Sequence, residues 1–524
     1  MNKIIIGSRG SELALWQATF ITEELKKLNV EVELKIIKTQ GDKIQHLSFD
    51  KLEGKGFFTK ELEDALLSNE IDLAVHSHKD LTTTFPDGLT IAAVSYRENP
   101  SELLLIRKEA EDLKQKFHFK KNAVVGTSSA RRKSQLLSFR PDVEIKDLRG
   151  NVPTRIQKLR DGEYDAIMLA YAGVNRLKID LEGFTVLRLD PKEFIPAPAQ
   201  GVLGLQIRDN DTAVKEIISK LNDSLVQECI GIERKVLNLL DGGCQLPLGV
   251  FCDRDEDTEG NTVFKTYVSK ADKWNEAPKY LYWETETTEN VAQKIVERLH
   301  QIKPCSVFVT RDQRKNDQLC NNLSSNGFKV NMRSLIEMQA VPFKLEEIFD
   351  WVFFSSKHAV KFYFEQSPNL NAATKFGAIS KATAQELRKF GKSCDFIGNS
   401  TDTKMVGKQF AARVGAQKVL FPIAKGSLKS IQQQFTKQEQ VKDLFVYETI
   451  KKNEEPVSVT DICIFTSPSN VEAFFEKNKL TPEQKIIAMG DATAATLKRF
   501  GARVHKQPVS FDDLGLLQSV YAIC

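Results

Sequence analysis

The segment VHSHKD (75–80) holds the first residues that could do chemistry. It ends in Asp80, a carboxylate that, beside Lys79, could stay ionised in a cleft, pair with a cation or steer a proton. Strand alternation predicts that His76, His78 and Asp80 share one face. The two histidines could hold a metal ion, but no third ligand is evident, so we predict no metal site. The competing interpretation of Asp80 is an ordinary helix cap.

The segment VGTSSARR (125–132) indicates a site for anionic groups. A Gly-Thr-Ser-Ser loop at a helix start offers backbone N–H groups, hydroxyls and the positive end of the helix dipole. The spacing is not that of a phosphate or dinucleotide loop, so a ligand with several carboxylates fits as well as a phosphate. The alternative is that the nearby arginines lie on solvated helix faces. The arginines of this group are Arg131, Arg132, Arg149, Arg155 and Arg176.

The segment LLDGGCQLPLG (239–249) places Cys244 after two glycines and before Pro247. Such a tight loop is unnecessary for a buried core cysteine. A thiolate there could form a covalent bond to a ligand or substrate. No cysteine-protease pattern surrounds it, and an inert loop cysteine is the alternative.

These segments lie in a first half that alternates short strands with amphipathic helices. We predict strands at 4–6, 71–75, 123–125 and 166–170, and helices that include 57–67 and 130–137. This alternation predicts α/β architecture with largely parallel sheets. Ligands of such sheets usually sit beyond the carboxyl ends of the strands.

The second half contains an internal repeat. FFSSKHAV (353–360) matches IFTSPSNV (464–471), and FGAISKATAQELRKFG (376–391) matches IIAMGDATAATLKRFG (486–501). Each unit is a strand, a hydroxyl-rich turn and a helix. Two copies predict two similar α/β lobes, since a solenoid needs three or more units. Duplication without a site is the alternative.

Length and composition limit the possible classes. A chain of 524 residues suggests three or four domains. The 74 basic and 70 acidic residues nearly balance, so we predict no nucleic-acid partner. No apolar run approaches the roughly 20 residues of a membrane span, so we predict no membrane partner. The eight cysteines form no CxxC pair, so we expect reduced thiols and a cytoplasmic location.

The chain from about 3 to 300 resembles the hydroxymethylbilane synthase family, also called porphobilinogen deaminase. The matching segments occur in the order of that family. They are IGSRGSELALWQA (6–18), KGFFTKELEDALL (55–67), HSHKD (76–80), VGTSSARRKSQL (125–136), LRGNVPTR (148–155), PAPAQGVLG (196–204) and ERKVLNLLDGGCQLPLG (233–249).

The resemblance implies an enzyme that joins four porphobilinogen molecules into hydroxymethylbilane and releases ammonia. The growing chain is anchored to a dipyrromethane cofactor, which the match attaches to Cys244. The catalytic aspartate of the family falls on Asp80, which would bind pyrrole N–H groups and stabilise the cationic azafulvene. The match puts Lys55 and Phe58 on a lid. The remaining cleft residues that it implies are Arg9, Ser11, Lys79, Thr127, Ser129, Arg131, Arg132, Arg149, Arg155 and Arg176.

The sequence departs from this family at a few positions. His78 stands where Met is common, and Ala199 where Gly is usual. RENPSELLL (97–105) lacks the usual Asp-Pro-Arg-Asp. These changes affect local loop geometry, and they leave Asp80, Cys244 and the arginines in place.

The chain from 304 to 524 resembles uroporphyrinogen-III synthase, which closes hydroxymethylbilane into a ring and inverts the last pyrrole. The resemblance rests on VFVTRD (307–312), VLFPIAKGSLKS (419–430), VYETI (446–450) and the repeat. It gives Tyr447 the role of assisting departure of the hydroxyl, while Ser355 replaces a usual Thr. The residues that would face the cleft are Ser356, Thr383, Ser467 and Thr493, each with a helix N-cap as the alternative.

Together the resemblances predict a monomeric, bifunctional enzyme of porphyrin (haem) biosynthesis, with porphobilinogen and hydroxymethylbilane as its small-molecule partners. The alternatives are an inactive C-terminal module, or a two-lobed anion-binding protein without catalysis. The fold implied is two periplasmic-binding-protein-like α/β domains, a small α+β domain, and two α/β lobes joined by a two-stranded connector. The predicted bounds are domain 1 at about 1–97 and 197–217, domain 2 at 98–196, domain 3 at 218–300, lobe 1 at 304–337 and 448–524, and lobe 2 at 338–447.

Overall fold

The computed structural model contains five β-sheets with helices packed around them, which confirms the predicted α/β class. Within the part of the chain that it describes, no helix is long and apolar enough to cross a membrane. The described residues are 3–39, 59–242, 245–257, 259–400, 402–453 and 455–524.

The first half alternates strands and helices much as the sequence predicts. The predicted strand at 166–170 has those bounds, whereas the strand predicted at 71–75 begins two residues later. The strands are β1 (Lys3–Ser8), β2 (Glu31–Ile36), β3 (Leu73–Ser77), β4 (Leu89–Val94), β5 (Glu102–Arg107), β6 (Val124–Gly126), β7 (Glu144–Lys146), β8 (Ala166–Ala170), β9 (Phe184–Leu189) and β10 (Leu203–Arg208). The helices are α1 (Glu12–Lys27), α2 (Lys60–Leu67), α3 (Ala130–Phe139), α4 (Val152–Arg160), α5 (Tyr171–Arg176), α6 (Thr212–Ile218) and α7 (Ser224–Leu239).

Two of the sheets share one topology. Sheet 1 has the order β2-β1-β3-β10-β4, and sheet 2 has the order β7-β6-β8-β5-β9. In each, the first three strands are parallel, and the fourth is antiparallel to both of its neighbours. The expectation of largely parallel sheets is therefore wrong for β5 and β10. The chain enters these two strands through the segments that cross between the sheets, 95–101 and 190–202, so each arrives from the opposite end.

Local sequence explains where the site-bearing helices begin. Ser11 caps α1, because its hydroxyl accepts a hydrogen bond from the Ala14 N–H at 3.4 Å. Ser129 caps α3 in the same way, and Asn151 caps α4 ahead of Pro153 in the first turn. These caps leave the residues just before each helix at the strand ends, where a ligand can reach them.

Sheet 3 is an antiparallel meander of β11 (Leu248–Glu256), β12 (Thr262–Lys270) and β13 (Lys279–Thr285). In its first turn, the Asp257 N–H donates to the Asn261 carbonyl at 3.0 Å. Helix α7 packs on β11 and against α8 (Val291–Gln301).

The remaining strands are β14 (Ser306–Val309), β15 (Lys329–Met332), β16 (Ile336–Ala340), β17 (Trp351–Phe354), β18 (Lys375–Ala378), β19 (Phe396–Ile397), β20 (Val419–Ala424), β21 (Val441–Lys451), β22 (Ile462–Phe465) and β23 (Lys485–Ala488). They form sheet 4, in the order β15-β14-β22-β23, and sheet 5, in the order β16-β21-β20-β17-β18-β19. All neighbours are parallel except β16 and β21. The helices are α9 (Gln318–Ser325), α10 (Lys357–Phe364), α11 (Lys381–Lys389), α12 (Thr403–Val414), α13 (Pro468–Lys477), α14 (Asp491–Arg499) and α15 (Asp513–Ile523).

The internal repeat of the sequence is also a repeat of structure. One copy runs β17, α10, β18 and α11, and the other runs β22, α13, β23 and α14. The capping serines of α10 and α13 have nearly identical backbones, with φ of −157° at Ser356 and −160° at Ser467. The two copies lie in different sheets, as the prediction of two similar α/β units requires.

Candidate active site

The predicted site residues of the first half gather at the ends of strands. Arg9 and Lys79 follow the parallel strands β1 and β3 of sheet 1. Thr127 follows β6, and Arg149 follows β7, both in sheet 2. Carboxyl ends of parallel strands are where ligands of such sheets bind.

The turn that carries Asp80 differs from the predicted geometry. Strand β3 ends at Ser77, and residues 78–80 form a single 3-10 turn, so the period-2 alternation stops there. The expectation that His76, His78 and Asp80 share one face is therefore wrong. Asp80 is exposed at the end of this turn, whereas both histidines are buried.

The two histidine side chains are buried in the interior beside sheet 1. His76 Nε2 lies 2.9 Å from Gln206 Oε1 on β10. Burial lowers the pKa of each imidazole to about 4, which keeps both rings neutral near pH 7. Among the described residues, no three His, Cys, Asp or Glu side chains are placed to hold a metal ion together.

Lys79 joins the two sheets through Gln200. Its Nζ donates to Gln200 Oε1 at 3.2 Å, and Gln200 Nε2 donates to Glu102 Oε1 at 3.1 Å. Burial lowers the pKa of Lys79, and the adjacent Asp80 carboxylate opposes that shift. The ammonium group thus sits between the exposed carboxylate of Asp80 and a buried carboxylate.

That buried carboxylate, Glu102, pairs with both arginines of the SSARR segment. It accepts from Arg131 Nη2 at 2.6 Å and from Arg132 Nη2 at 2.7 Å, and all three side chains are nearly inaccessible. Burial alone would raise the pKa of Glu102, but Arg132, Arg131 and Lys79 outweigh it and hold the pKa at about 2. Each arginine also donates to a backbone carbonyl, Arg131 to Ile195 and Arg132 to Met168. Contact of the pair with a ligand stays a prediction.

Arg155 and Arg149 add positive charge to the same region. Burial lowers the pKa of Arg155 to about 10, and the charges of Arg132 and Arg149 act in the same direction, while Asp80 opposes them. Arg155 thus shares its electrostatic environment with both Asp80 and the SSARR arginines. Its Nε donates to the Gly150 carbonyl at 2.7 Å, which fixes the base of the guanidinium.

Arg176, at the end of α5, faces helix α1. Its Nη2 donates to the Gly201 carbonyl at 2.7 Å, and its guanidinium carbon lies 5.4 Å from the centre of the Trp16 ring. Its buried Nε has no hydrogen-bond partner among the described residues. A cavity of about 520 Å³ opens here between α1 and α5, lined by Glu12, Leu15, Trp16, Thr19, Arg176, Leu177 and Lys178. A buried N–H without a partner is available to a ligand acceptor.

In the second half, the predicted hydroxyls all lie at strand–helix turns. Ser356 and Ser467 are N-caps, as their alternative interpretation holds, with backbone N–H donors at 3.0 and 3.3 Å. Thr383 and Thr493 are buried within the first turn of their helices. Tyr447 on β21 brings its hydroxyl within 3.3 Å of the Ser356 hydroxyl. Thus Tyr447 and Ser356 are in contact, while Ser467 and Thr493 lie beside sheet 4.

Comparison with known proteins matches the two halves of the chain to different families. Residues 4–216 match the family model "Porphobilinogen deaminase, dipyromethane cofactor binding domain". The porphobilinogen deaminase of a Nitratiruptor species is 49% identical over 248 residues, which cover 47% of this chain and 78% of that protein. The porphobilinogen deaminase of Chloroherpeton thalassium is 42% identical over 294 residues, 56% of this chain and 91% of that protein. The chain belongs to the porphobilinogen deaminase family.

Residues 317–518 match the family model "Uroporphyrinogen-III synthase HemD". The crystal structure of a uroporphyrinogen-III synthetase from Helicobacter pylori is similar, with 20% identity and a TM-score of 0.31, over 40% of this chain and 96% of that chain. The two family models match separate parts of the chain, which we call the deaminase region (3–300) and the synthase region (304–524).

Three predicted residues of the deaminase region lie outside the described residues: Lys55, Phe58 and Cys244. Cys244 belongs to the connection between α7 and β11. The start of β11 is fastened to the second crossing segment, because the Val250 N–H donates to the Pro196 carbonyl at 3.1 Å. The same close approach leaves no room for a side chain at Gly249, where a Cβ would lie 2.6 Å from the Ile195 carbonyl oxygen.

Glu233 on α7 is a residue of the deaminase region that sequence reasoning missed. Its fully buried carboxylate accepts from Arg97 at 2.6 Å, from the Ala199 N–H at 2.6 Å and from the Cys252 N–H at 2.8 Å. It therefore ties both crossing segments to sheet 3, and holds Ala199 in its left-handed conformation, with φ of 60°. The available signal was a carboxylate on the apolar face of α7, between Ile230 and Val236.

We expect Glu233→Gln to destabilise the protein by about 2–3 kcal/mol, because the neutral amide leaves the buried Arg97 charge uncompensated. The NH2 group of the glutamine would also face an N–H donor that the carboxylate oxygen of Glu233 accepts from. Calorimetric unfolding of the full chain measures this loss. Glu228→Gln is the matched control, since Glu228 is exposed on the same helix. Equal transition temperatures for the two variants would contradict the role of Glu233.

Proposed function

We propose that the deaminase region joins four porphobilinogen molecules into hydroxymethylbilane, with Asp80 as the catalytic carboxylate and Cys244 as the attachment point of a dipyrromethane. The observation that supports this is the setting of Asp80. It is an exposed carboxylate beside Lys79 and within the electrostatic field of Arg155, at the end of a parallel strand. This setting places one carboxylate among several cations.

The donor set fits a dipyrromethane, because each pyrrole of that group carries two carboxylates. When bound, the dipyrromethane supplies a covalently held primer for chain growth. The residues we propose to hold its side chains, and those of the incoming substrate, are Arg9, Ser11, Lys79, Thr127, Ser129, Arg131, Arg132, Arg149, Arg155 and Arg176. The unpartnered Nε of Arg176 is one N–H that such a carboxylate would satisfy.

Asp80 can act on the substrate in two ways. Its carboxylate accepts hydrogen bonds from a pyrrole N–H, which orients the ring. It also stabilises the positive charge that develops on that ring as ammonia departs, and this gain is larger in the transition state than in the ground state. The cations around it bind the carboxylates of the substrate and do not compete for the pyrrole nitrogen.

Intact-mass analysis of the purified full chain tests the attachment. We expect the protein to be heavier than its sequence by one dipyrromethane, and peptide mapping to place the added mass on Cys244. An acidic aldehyde reagent should colour the protein. Active protein with an unmodified Cys244 would refute the assignment, and Cys229 and Cys252, which are buried, provide the internal comparison.

We propose that the domains follow the sheets. Domain 1 (about 1–97 and 197–217) corresponds to sheet 1, domain 2 (98–196) to sheet 2, and domain 3 (218–300) to sheet 3. In the synthase region, β16 and β21 would form the two-stranded connector between lobe 1 (304–337 and 448–524) and lobe 2 (338–447). The antiparallel register of Ile336 with Lys451 supports this arrangement.

We propose that the synthase region closes hydroxymethylbilane to uroporphyrinogen III, with Tyr447 assisting departure of the hydroxyl. The contact that supports the role is the 3.3 Å approach of the Tyr447 and Ser356 hydroxyls at the head of α10. Ser356, Thr383, Ser467 and Thr493 would bind substrate from the two lobes.

We expect Tyr447→Phe to slow formation of the type III isomer by about tenfold to a hundredfold and to raise the share of the type I isomer, because the substrate also cyclises without the enzyme. Product chromatography after a coupled reaction measures both. Tyr363→Phe is the matched control, since its buried hydroxyl has no partner among the described residues. An unchanged isomer ratio in Tyr447→Phe would count against the role.

A further inference from the structure

Helix α15, at the end of the synthase region, is buried on every side. All eight residues from Leu514 to Tyr521 are inaccessible, in a helix of eleven. A helix that covers one neighbour hides only one stripe, so this helix must have neighbours on opposite faces. It packs on β13 of sheet 3 on one side, and on α9 and β23 of the synthase region on the other.

The apolar cluster around α15 does not stop at the boundary between the two regions. It runs without interruption from Val250, Val268 and Leu281 of the deaminase region to Val307, Ile464 and Leu517 of the synthase region. The connection between them is only residues 302–305, between α8 and β14, and Ile302 is itself part of the cluster. Such continuity is typical of one core and not of two domains on a linker.

A polar group at the edge of the cluster specifies how the regions fit together. Buried Asn322 on α9 donates to the Pro278 carbonyl at 2.9 Å and to the Ser138 hydroxyl at 3.3 Å, and accepts from the Tyr521 hydroxyl at 2.7 Å. Ser138 lies on α3, the helix that begins with Arg131 and Arg132 in its first turn. One synthase side chain therefore contacts both the loop between β12 and β13 of sheet 3 and the helix of the arginine pair.

A side chain of the deaminase region binds the C-terminal end of α15. Arg298 on α8 donates through Nε to the Tyr521 carbonyl at 2.8 Å, and through Nη2 to the Cys524 carbonyl. The carbonyls at a helix C-terminus carry partial negative charge and have no partner within the helix, so an arginine there satisfies them.

We propose that the synthase region is a structural partner of the deaminase region: α9 and α15 complete the core of the sheet 3 domain and fasten it to α3. The domain that carries the Cys244 segment then unfolds together with sheet 4, and the two active regions keep a fixed orientation. This inference does not depend on the residue roles proposed above.

Hydrogen exchange measured by mass spectrometry on the full chain tests it. Leu517→Ala should speed exchange about tenfold or more in both 279–285 and 462–465, because a cavity in a shared core weakens both sides. Leu387→Ala, an equally buried leucine in the cluster beside sheet 5, is the matched control and should leave both segments unchanged. Faster exchange in 462–465 alone after Leu517→Ala would overturn the proposal.

Asn322→Ala provides a second test should Leu517→Ala not fold. It removes the hydrogen bonds to Ser138, Pro278 and Tyr521 while keeping the apolar cluster. We expect faster exchange, by about threefold or more, in both 134–139 and 279–285. Wild-type exchange in both segments would overturn the link between the synthase region and α3.

Discussion

Asp80→Asn is expected to reduce hydroxymethylbilane formation by at least about a hundredfold while the dipyrromethane remains attached to the protein. Removal of one group that stabilises transition-state charge typically costs a factor of about 10² to 10³. The asparagine side chain has nearly the same shape and can still accept a hydrogen bond. It loses the negative charge, which is the property that the developing cation requires.

The position of Asp80 predicts that this substitution changes activity and leaves stability nearly unchanged. The side chain is exposed at the end of a 3-10 turn, and the buried Lys79 ammonium keeps Glu102 as a nearby carboxylate. The neighbouring Lys79 keeps its hydrogen bond to Gln200. We therefore expect the unfolding temperature to stay near that of the wild type, which separates loss of chemistry from loss of structure.

Ammonia release in the steady state measures turnover, and intact mass of the same preparation measures cofactor attachment. Asp87→Asn is the matched control, because Asp87 is an exposed aspartate a short distance further along the chain. Turnover close to the wild-type value in Asp80→Asn would exclude Asp80 as the catalytic carboxylate. Loss of the added mass in Asp80→Asn would instead make Asp80 necessary for assembly of the cofactor.

The order of helices and strands could be predicted from local pattern. Ser11 and Ser129 mark helix starts through their hydroxyls, and the apolar run of β8 marks a buried strand. The direction of β5 and β10 could not be predicted in this way. Their antiparallel pairing depends on where the chain crosses between sheets, which is a property of the whole topology and not of ELLLIR or LGLQIR.

The sequence predicted which residues belong to the site, but it did not predict which residues they contact. The clustering of arginines pointed to a ligand with several carboxylates. The partner that two of them have in the protein, Glu102, starts a strand whose next four residues are apolar, and nothing local marks it as a buried counter-ion. Lys79 and Glu102 are joined by Gln200, which is distant from both in the sequence and comes to lie beside them only in the folded chain.

Glu102→Gln tests what that buried carboxylate does. We expect a loss of about 3–5 kcal/mol in the free energy of unfolding, because removing one partner of a buried ion pair leaves the charges of Arg131 and Arg132 uncompensated. The nearby Lys79 adds a third positive charge. Calorimetry of the full chain measures the loss, and Glu109→Gln, an exposed glutamate that contacts Arg107 at 3.3 Å, is the control.

The same substitution changes how stability depends on pH. The pKa of Glu102 is about 2 in the folded protein, below its ordinary value of 4.5. A depressed pKa means that the stabilisation from this group is complete above about pH 4.5 and is lost as the pH falls towards 2. Glu102→Gln has no proton to take up there, so its stability should fall less steeply with acid than that of the wild type. Parallel profiles for the two proteins would show that Glu102 is not the ionised centre of the cluster.

The expected effect on the cofactor separates two roles of the arginine pair. In the first role, Glu102 only orients Arg131 and Arg132 for a ligand. Glu102→Gln would then free guanidinium N–H groups of the two arginines and increase the positive charge of the site. Intact mass should still show an attached dipyrromethane once the protein has folded. If instead the pair serves mainly to fasten α3 to the Ile195 and Met168 backbone, Arg131→Ala destabilises the chain without slowing attachment. We expect the first result, with slower cofactor assembly in Arg131→Ala, because we propose that the pair binds carboxylates of the ring that Asp80 orients.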